Sequence, residues 1–127
     1  MREERGQIHG NQTISERYTL WGSIGGDVRV VEGGKFYLRG SVYGNLNVEH
    51  GGRVHIFGNL QGNLVVHRGA KVIHSGLVGG SVTNMGGRLH LELISRVHGD
   101  VKTKSGETTV EEVEPRAKRT TKRTEEY

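Results

Sequence analysis

The sequence contains 127 residues, of which 32% are hydrophobic and 21 are glycine, and its formal net charge is +4. This composition argues against an ordinary helical core, and the lack of cysteine excludes disulfides and thiolate metal sites. No apolar run approaches the ~18 residues of a membrane-spanning helix, and the N-terminal segment MREERGQ is too polar for a signal peptide. We therefore expect a single-domain cytoplasmic protein with no integral membrane segment.

One sequence unit recurs along the chain. The copies begin at Gly6, Gly22, Gly40, Gly58, Gly76 and Ser95. The first copy is shortened, the last is degenerate, and the three that start at Gly22, Gly40 and Gly58 are 18 residues long. Each full copy approximates G-x-h-x-G-[DNS]-h-x-h-x-x-G-[GA]-x-h-x-h-x, where h is mostly a large apolar residue. Apolar residues two apart indicate strands with one buried face, and the glycines supply the positive φ angles of tight corners. The pattern predicts three short strands per copy and no substantial helix.

Stacking the copies aligns their apolar positions in five interior ladders, because no single copy can bury its own apolar side. Strands of neighbouring coils would pair in parallel at ~4.8 Å. The ladders are Ile24, Val42, Leu60, Val78, Val97; Val28, Leu46, Leu64, Val82, Val101; Val30, Val48, Val66, Asn84, Thr103; Phe36, Val54, Val72, Leu89; and Leu38, Ile56, His74, Leu91. The sequence thus predicts an all-β fold, a single-stranded parallel β-helix or solenoid of about six triangular coils, over residues 6–110.

Two parts of the chain depart from the repeat. Asn84 and His74 fall on interior ladders, and the fourth full copy loses one residue before Gly86 and gains two after it. We interpret this as the irregular end of a solenoid, in which a buried asparagine hydrogen-bonds along its ladder. From Glu111 the pattern stops, and the charged segment 111–127, which holds the only proline, is predicted to be a disordered tail.

The repeat resembles that of the bactofilins, bacterial cytoskeletal proteins that polymerise. The resemblance rests on units such as GSVYGNLNV and GNLQGNLVV, each followed by G-[GA], and covers roughly residues 22–101. It implies a right-handed β-helix with a disordered terminal tail. It also implies assembly of the coils end to end into filaments without a nucleotide, and hence a structural, self-assembling scaffold.

The apolar spacing leaves an enzymatic alternative open. Large apolar residues recur every six positions from Ile24 to Val78, as in left-handed β-helix acyltransferases and γ-class carbonic anhydrases. His50 and His55 have the H-x4-H spacing of two zinc ligands, but a catalytic zinc needs three protein ligands and Ile14 lies where the third would be. The serines sit at corners without a carboxylate–histidine partner in register. We predict no catalytic residue, metal site or cofactor, with a trimeric enzyme or a discrete binding module as the alternative.

A row of cations follows the second corner of successive coils and consists of Lys35, Arg53, Lys71 and Arg88. Like charges stacked ~4.8 Å apart repel each other, and an acidic partner such as nucleic acid, anionic lipid or a polymeric glycan would relieve that repulsion. Alternatively, the row only keeps this edge soluble, since no aromatic row accompanies it as a stacking platform. The tail segment RAKRTTKR is a weaker partner motif, because flanking glutamates cancel its charge.

The ends of the predicted solenoid are candidate sites of self-association, because terminal coils expose unpaired strands and apolar ladder ends. At the N-terminal end the candidates are Ile8, Ile14, Tyr18, Leu20 and Trp21. At the C-terminal end they are Val97 and Val101, over which Val110 can fold. The N-terminal end is the more apolar in sequence, so we expect dimers through the first coil, or filaments when both ends engage.

Overall fold

The computed structural model describes residues 2–111, and its regular structure consists entirely of β-strands. These residues wind into a parallel β-solenoid of about six turns with an 18-residue repeat, which confirms the predicted fold class. The described range contains no helix, and therefore none that is long and apolar enough to cross a membrane. Apart from Glu111, the predicted tail at 111–127 lies outside the described residues.

Each coil contributes one strand to each of three faces, and strands one coil apart pair in parallel. The first face is a six-stranded sheet. Its strands are β2 (Gln7–Ile8), β5 (Ser23–Ile24), β8 (Ser41–Val42), β11 (Asn59–Leu60), β14 (Leu77–Val78) and β16 (Arg96–Val97). These two-residue strands keep the first face narrow.

The second and third faces belong to one 11-stranded sheet, because two ten-residue strands continue from one face to the other. The second face holds β3 (Gln12–Ile14), β6 (Val28–Val30), β9 (Leu46–Val48), β12 (Leu64–Val66) and the first halves of β15 (Val82–Leu91) and β17 (Val101–Val110). The third face holds β1 (Arg2–Glu4), β4 (Arg17–Leu20), β7 (Lys35–Leu38), β10 (Arg53–Ile56), β13 (Lys71–His74) and the second halves of β15 and β17. Strand β1 precedes the predicted domain start at residue 6 and pairs with β4.

The predicted ladders form the core. In the central coils their side chains are fully buried, as Leu60 and Val66 show at 0% exposure, whereas the intervening Val65 is only partly buried. In the last coil the ladders reach the surface, where Val101 is 40% exposed and Thr103 is exposed. The period of two therefore predicts which side chains face inward, and the last coil is an open end of the core.

Glycines occupy the second corner, between the second and third faces, and the first corner, between the third face and the first face of the next coil, for different physical reasons. At the second corner Gly33 and Gly51 have φ angles of 86° and 81°, as expected for tight turns. At the first corner the reason is space instead: a Cβ added to Gly40 would lie 1.9 Å from the carbonyl oxygen of Gly22 in the coil before. The expectation that the glycines supply positive φ angles therefore holds at the second corner and not at the first.

A column of Asp and Asn side chains connects the coils at another corner, between the first and second faces. The Oδ1 atom of Asp27 accepts a hydrogen bond from the backbone N–H of Asn45 at 2.7 Å. Asn45 and Asn63 each do the same for the residue one coil later, at 2.8 Å. These bonds satisfy backbone donors that the strands leave unpaired at the bend, which explains the [DNS] position of the repeat.

Asn84 holds the irregular fourth copy together. Its fully buried Nδ2 donates to the carbonyl oxygens of Gly87 (3.1 Å) and Glu107 (3.0 Å), and its Oδ1 accepts from the backbone N–H of Gly87 (2.8 Å). The pairing of β15 with β17 shifts register between Met85 and Arg88, so the asparagine spans the bulge. A hydrogen-bonded buried asparagine is the arrangement that we inferred from the sequence.

Candidate functional site

The predicted cation row runs along the third face. Its members Lys35, Arg53, Lys71 and Arg88 are neighbours in register on β7, β10, β13 and β15. Arg17, on β4, pairs with Lys35 and extends the row by one coil. Its copy is shortened, so aligning the full copies in sequence does not identify it. The row spans five coils, or ~19 Å at ~4.8 Å per coil, and all members are exposed except the half-buried Lys35.

A second outward row lies two residues further along the same strands. It consists of Tyr37, His55, Ile73 and His90, all of them half-buried. Two residues of a strand cover ~6.6 Å, so the rows are close enough to share shallow grooves. One groove is lined by side chains from both rows of β7, β10 and β13, and the next by those of β13, β15 and β17.

Aromatic rings and cations alternate at the corner that borders this face. The guanidinium carbon of Arg39 lies 5.1 Å from the centre of the Trp21 ring and 4.2 Å from that of Phe57. The guanidinium carbon of Arg5 also lies over the Trp21 ring, 5.2 Å from its centre. The His55 ring stacks on Phe57 at 3.7 Å, with 19° between the planes. A column of alternating cations and rings therefore stands at the corner next to the third face, and the repeat pattern alone did not indicate it.

The stacking depends on residues in different copies, and this is why the sequence pattern hides it. Trp21, Arg39 and Phe57 follow the last strand residue of three successive coils. Each position is read as a variable corner residue when one copy is compared with the next. An alignment of Trp21 with Arg39 and Phe57 would have identified these stacked side chains from the sequence.

The central strands of this face carry cations and no carboxylates. Among the described strands of the third face, those from β4 to β15 contain no acidic residue. Acidic side chains flank these strands: Glu3 pairs with Thr19, Glu107 lies 3.9 Å from the Nε atom of Arg88, and Glu92 accepts a hydrogen bond from Ser75. By contrast, Arg29 on the second face forms an ion pair with Glu49. The central coils therefore present a strip of positive charge.

Ser75 lies between His55 and Glu92, which corrects the expectation that no serine has such partners. Its hydroxyl donates to a carboxylate oxygen of Glu92, and the Nε2 atom of His55 lies 3.1 Å from the same hydroxyl oxygen. Because the hydroxyl hydrogen is directed at Glu92, His55 donates to Ser75 and does not accept its proton. Burial lowers the pKa of His55, while Glu92 raises it and Arg39 lowers it further. This hydrogen-bonded chain connects three coils.

The two histidines with zinc-ligand spacing have different surroundings. His50 is exposed at the second corner, whereas His55 is engaged by Phe57 and Ser75. No group of three or more His, Cys, Asp or Glu side chains within residues 2–111 is arranged to hold a metal ion. The described part of the chain thus gives no support to the zinc alternative.

The N-terminal end differs from the expected apolar patch. Ile14, Tyr18 and Leu20 are at most 2% exposed and belong to the core. For Tyr18 and Leu20 the reason is that β1 adds a charged strand beyond β4 and sets Glu4 in register with Leu20. Only Ile8 remains partly buried at this end, packed against the core. Trp21, the fifth candidate, lies in the corner stack with 43% exposure.

The C-terminal end carries the exposed apolar side chains. Val101 and Val110 on β17 are 40% and 56% exposed, and Val97 on β16 is partly buried. The preceding turn adds Leu93 and Ile94, at 46% and 71% exposure. The more apolar end of the described solenoid is therefore its last coil.

Searches against protein-family models, curated proteins and solved structures find no significant match to this chain. The class of the molecule is defined by its fold, which is a parallel β-solenoid. Its function has to be argued from the surfaces described above.

Proposed function

We propose that the protein is a structural scaffold, similar to the bactofilins, whose subunits associate through the ends of the solenoid. The observation that carries this proposal is the last coil. Strand β17 is ten residues long and pairs only with β15, so one edge has no partner strand among the described residues. An open strand edge beside exposed apolar side chains favours pairing with another chain.

The contrast between the two ends selects the last coil as the primary contact. Val110 lies in register with the core residue Leu91, and therefore faces out of the open end of that ladder. At the N-terminal end the equivalent position beyond Leu20 is occupied by Glu4, whose carboxylate accepts a hydrogen bond from the N–H of Gly6. Burying Glu4 against another chain would cost desolvation, whereas burying Val110 is favourable.

A contact between two last coils buries the same patch on both partners and yields a symmetric dimer. Growth beyond the dimer requires the N-terminal end to engage as well, through the open edges of β1, β2 and β3. The expected products are thus dimers, and filaments when both ends are in use. A single closed trimer would instead favour the alternative of a discrete binding module or enzyme.

Sedimentation velocity and electron microscopy test the proposal with two variants of equal charge change. Val110→Lys places a cation in the last coil, and Gln7→Lys places one at an exposed position of β2, at the opposite end. We expect the parent to associate as its concentration rises, Val110→Lys to sediment as a smaller species and Gln7→Lys to retain at least the dimer. Both variants should keep the β-sheet circular dichroism of the parent, because each replaced side chain is exposed. A parent that stays monomeric at high micromolar concentration, or a Val110→Lys variant that assembles like it, contradicts the proposal.

A further inference from the structure

We propose that the third face binds single-stranded nucleic acid, with the sugar–phosphate backbone along the cation row and the bases against the neighbouring rings. The proposal concerns the side of the solenoid and does not depend on the end contacts. It rests on the spacing of the cations, on the groove beside them and on the aromatic surfaces two residues away.

The cation row is suited to a linear polyanion. Arg17, Lys35, Arg53, Lys71 and Arg88 lie on one line at a rise of ~4.8 Å per coil. Repulsion among these charges is relieved when a chain of phosphates lies along them, and each phosphate contact also releases counterions. The long, flexible Lys and Arg side chains let the cations reach phosphates whose spacing differs from the ~4.8 Å rise per coil.

The backbone of a ligand can approach this row closely. On the side of the second corner, a shallow groove is lined by the cations Arg53, Lys71 and Arg88 and otherwise by small residues such as Gly51 and Gly69. These corner residues carry no bulky side chains of their own, but the Glu32 side chain lies over Gly51 and the His50 side chain lies over Gly69. A sugar–phosphate chain therefore reaches the cations along the strand side of this groove.

The opposite side of the row provides ring surfaces for bases. Tyr37 lies ~6.6 Å along the strand from Lys35, and His55 holds the same position relative to Arg53. The His55 ring is already fixed by its stack on Phe57, so little side-chain entropy is lost when a base packs against it. Ring platforms beside a positive groove are the arrangement by which proteins bind single strands without reading sequence.

A single strand fits this face better than a duplex does. In a duplex the faces of the bases are stacked within the helix, so Tyr37 and His55 would contribute nothing to binding. The face also lacks a helix or protruding ribbon that could enter a groove of double-stranded DNA. An acidic glycan could use the cations, and the experiment treats it as a competing outcome.

Fluorescence anisotropy of the full chain with a labelled dT oligonucleotide of about 12 nucleotides tests the proposal. We expect log K to fall with log[salt] at a slope of about −3, from roughly four phosphate contacts at about −0.7 each. Arg53→Glu and Lys71→Glu should each weaken binding about tenfold or more. Arg29→Glu, which makes the same charge change on the second face, should have much less effect.

A pair of tyrosines tests the role of the bases. Tyr37→Ala should weaken binding about tenfold, whereas Tyr43→Ala, which removes a 53% exposed tyrosine from the first face, should not. Repeating the titration with Val110→Lys keeps loss of assembly separate from loss of binding. The proposal is overturned if dT does not bind, if the row variants bind like the parent, or if Tyr37→Ala and Tyr43→Ala behave alike. It is equally overturned if a duplex of the same length or a polyuronate binds more tightly than dT.

Discussion

At the scale of single residues, Asn84 and His74 show two ways of placing a polar group in an apolar ladder. Asn84 uses both its amide nitrogen and its oxygen, so every polar atom of its side chain is hydrogen-bonded. His74 is fully buried as well, but only its Nε2 atom has a partner, the carbonyl oxygen of Arg96 at 3.0 Å. Its Nδ1 atom has no hydrogen-bond partner among the residues that the structure describes.

His74 should make the stability of the fold depend on pH. Burial lowers the pKa of His74, and the hydrogen bond to the Arg96 carbonyl only partly opposes this. A pKa that is lower in the folded state means that the unfolded chain binds the proton first, near its ordinary pKa of about 6.5. The free energy of unfolding therefore has its full value above about pH 6.5. Below that pH it decreases by up to about 1.4 kcal/mol per pH unit.

The parent protein is compared with the variant His74→Leu, because leucine or isoleucine occupies this ladder position in the neighbouring coils. Urea unfolding at a series of pH values should show that the variant gains stability relative to the parent as the pH falls. A difference between parent and variant that is the same at every pH would rule out titration of His74 as the cause.

The residue scale also shows what a sequence can and cannot predict. The inward-facing residues were predictable, because alternation along a short strand fixes the buried face. The partners of Ser75 were not, because His55 and Glu92 reach it from the coils before and after, and their side-chain directions do not follow from the repeat. Individual side-chain contacts between coils therefore require the structure.

At the scale of the element, the first-corner glycines are the tightest points between coils. A Cβ on Gly58 would lie 2.1 Å from the carbonyl oxygen of Gly40, which is backbone and cannot rotate away. Gly25 lies at a different corner, between the first and second faces, and the nearest atom to an added Cβ there is 3.6 Å away, an ordinary contact distance. Two corner glycines thus differ in whether a side chain fits.

Replacing each glycine by alanine tests this difference. Gly58→Ala should lower the free energy of unfolding by about 1–3 kcal/mol, because adjacent coils must separate to admit the methyl group. Gly25→Ala should stay within about 0.5 kcal/mol of the parent. Denaturant unfolding measures both, and equal losses in the two variants would mean that the coils do not pack as closely as Gly58 indicates.

The strands themselves were largely predictable, and the exception has a physical reason. Strand β1 (Arg2–Glu4) consists of the residues REE, which show no apolar alternation. It is a strand only because β4 offers it a parallel partner, so tertiary pairing and not local propensity determines it. Because β1 was not predicted, the N-terminal end was expected to be the more apolar one, whereas the exposed apolar side chains lie in the last coil.

At the scale of the whole molecule, the cohesion of the described coils comes from ladders and backbone pairing repeated along the axis. Chelators should therefore change neither the melting temperature nor the sedimentation of the protein. Thermal melting with and without EDTA measures the first quantity, and elemental analysis of the purified protein provides a control. One tightly bound zinc per chain that is lost in His50→Ala or His55→Ala would instead support the zinc-enzyme alternative.

The regular register of the central coils has a consequence for how such a molecule changes over evolutionary time. Each of these coils offers the next one the same backbone template, with partners 18 residues apart, as Arg53 and Lys71 are. Duplicating or deleting one complete copy preserves every alignment on both sides of the change. Inserting a single residue within a strand instead turns the remainder of that strand inside out. Gene rearrangements that move whole copies are thus the tolerated ones, so the rod can lengthen or shorten in steps of one coil while its two ends stay the same.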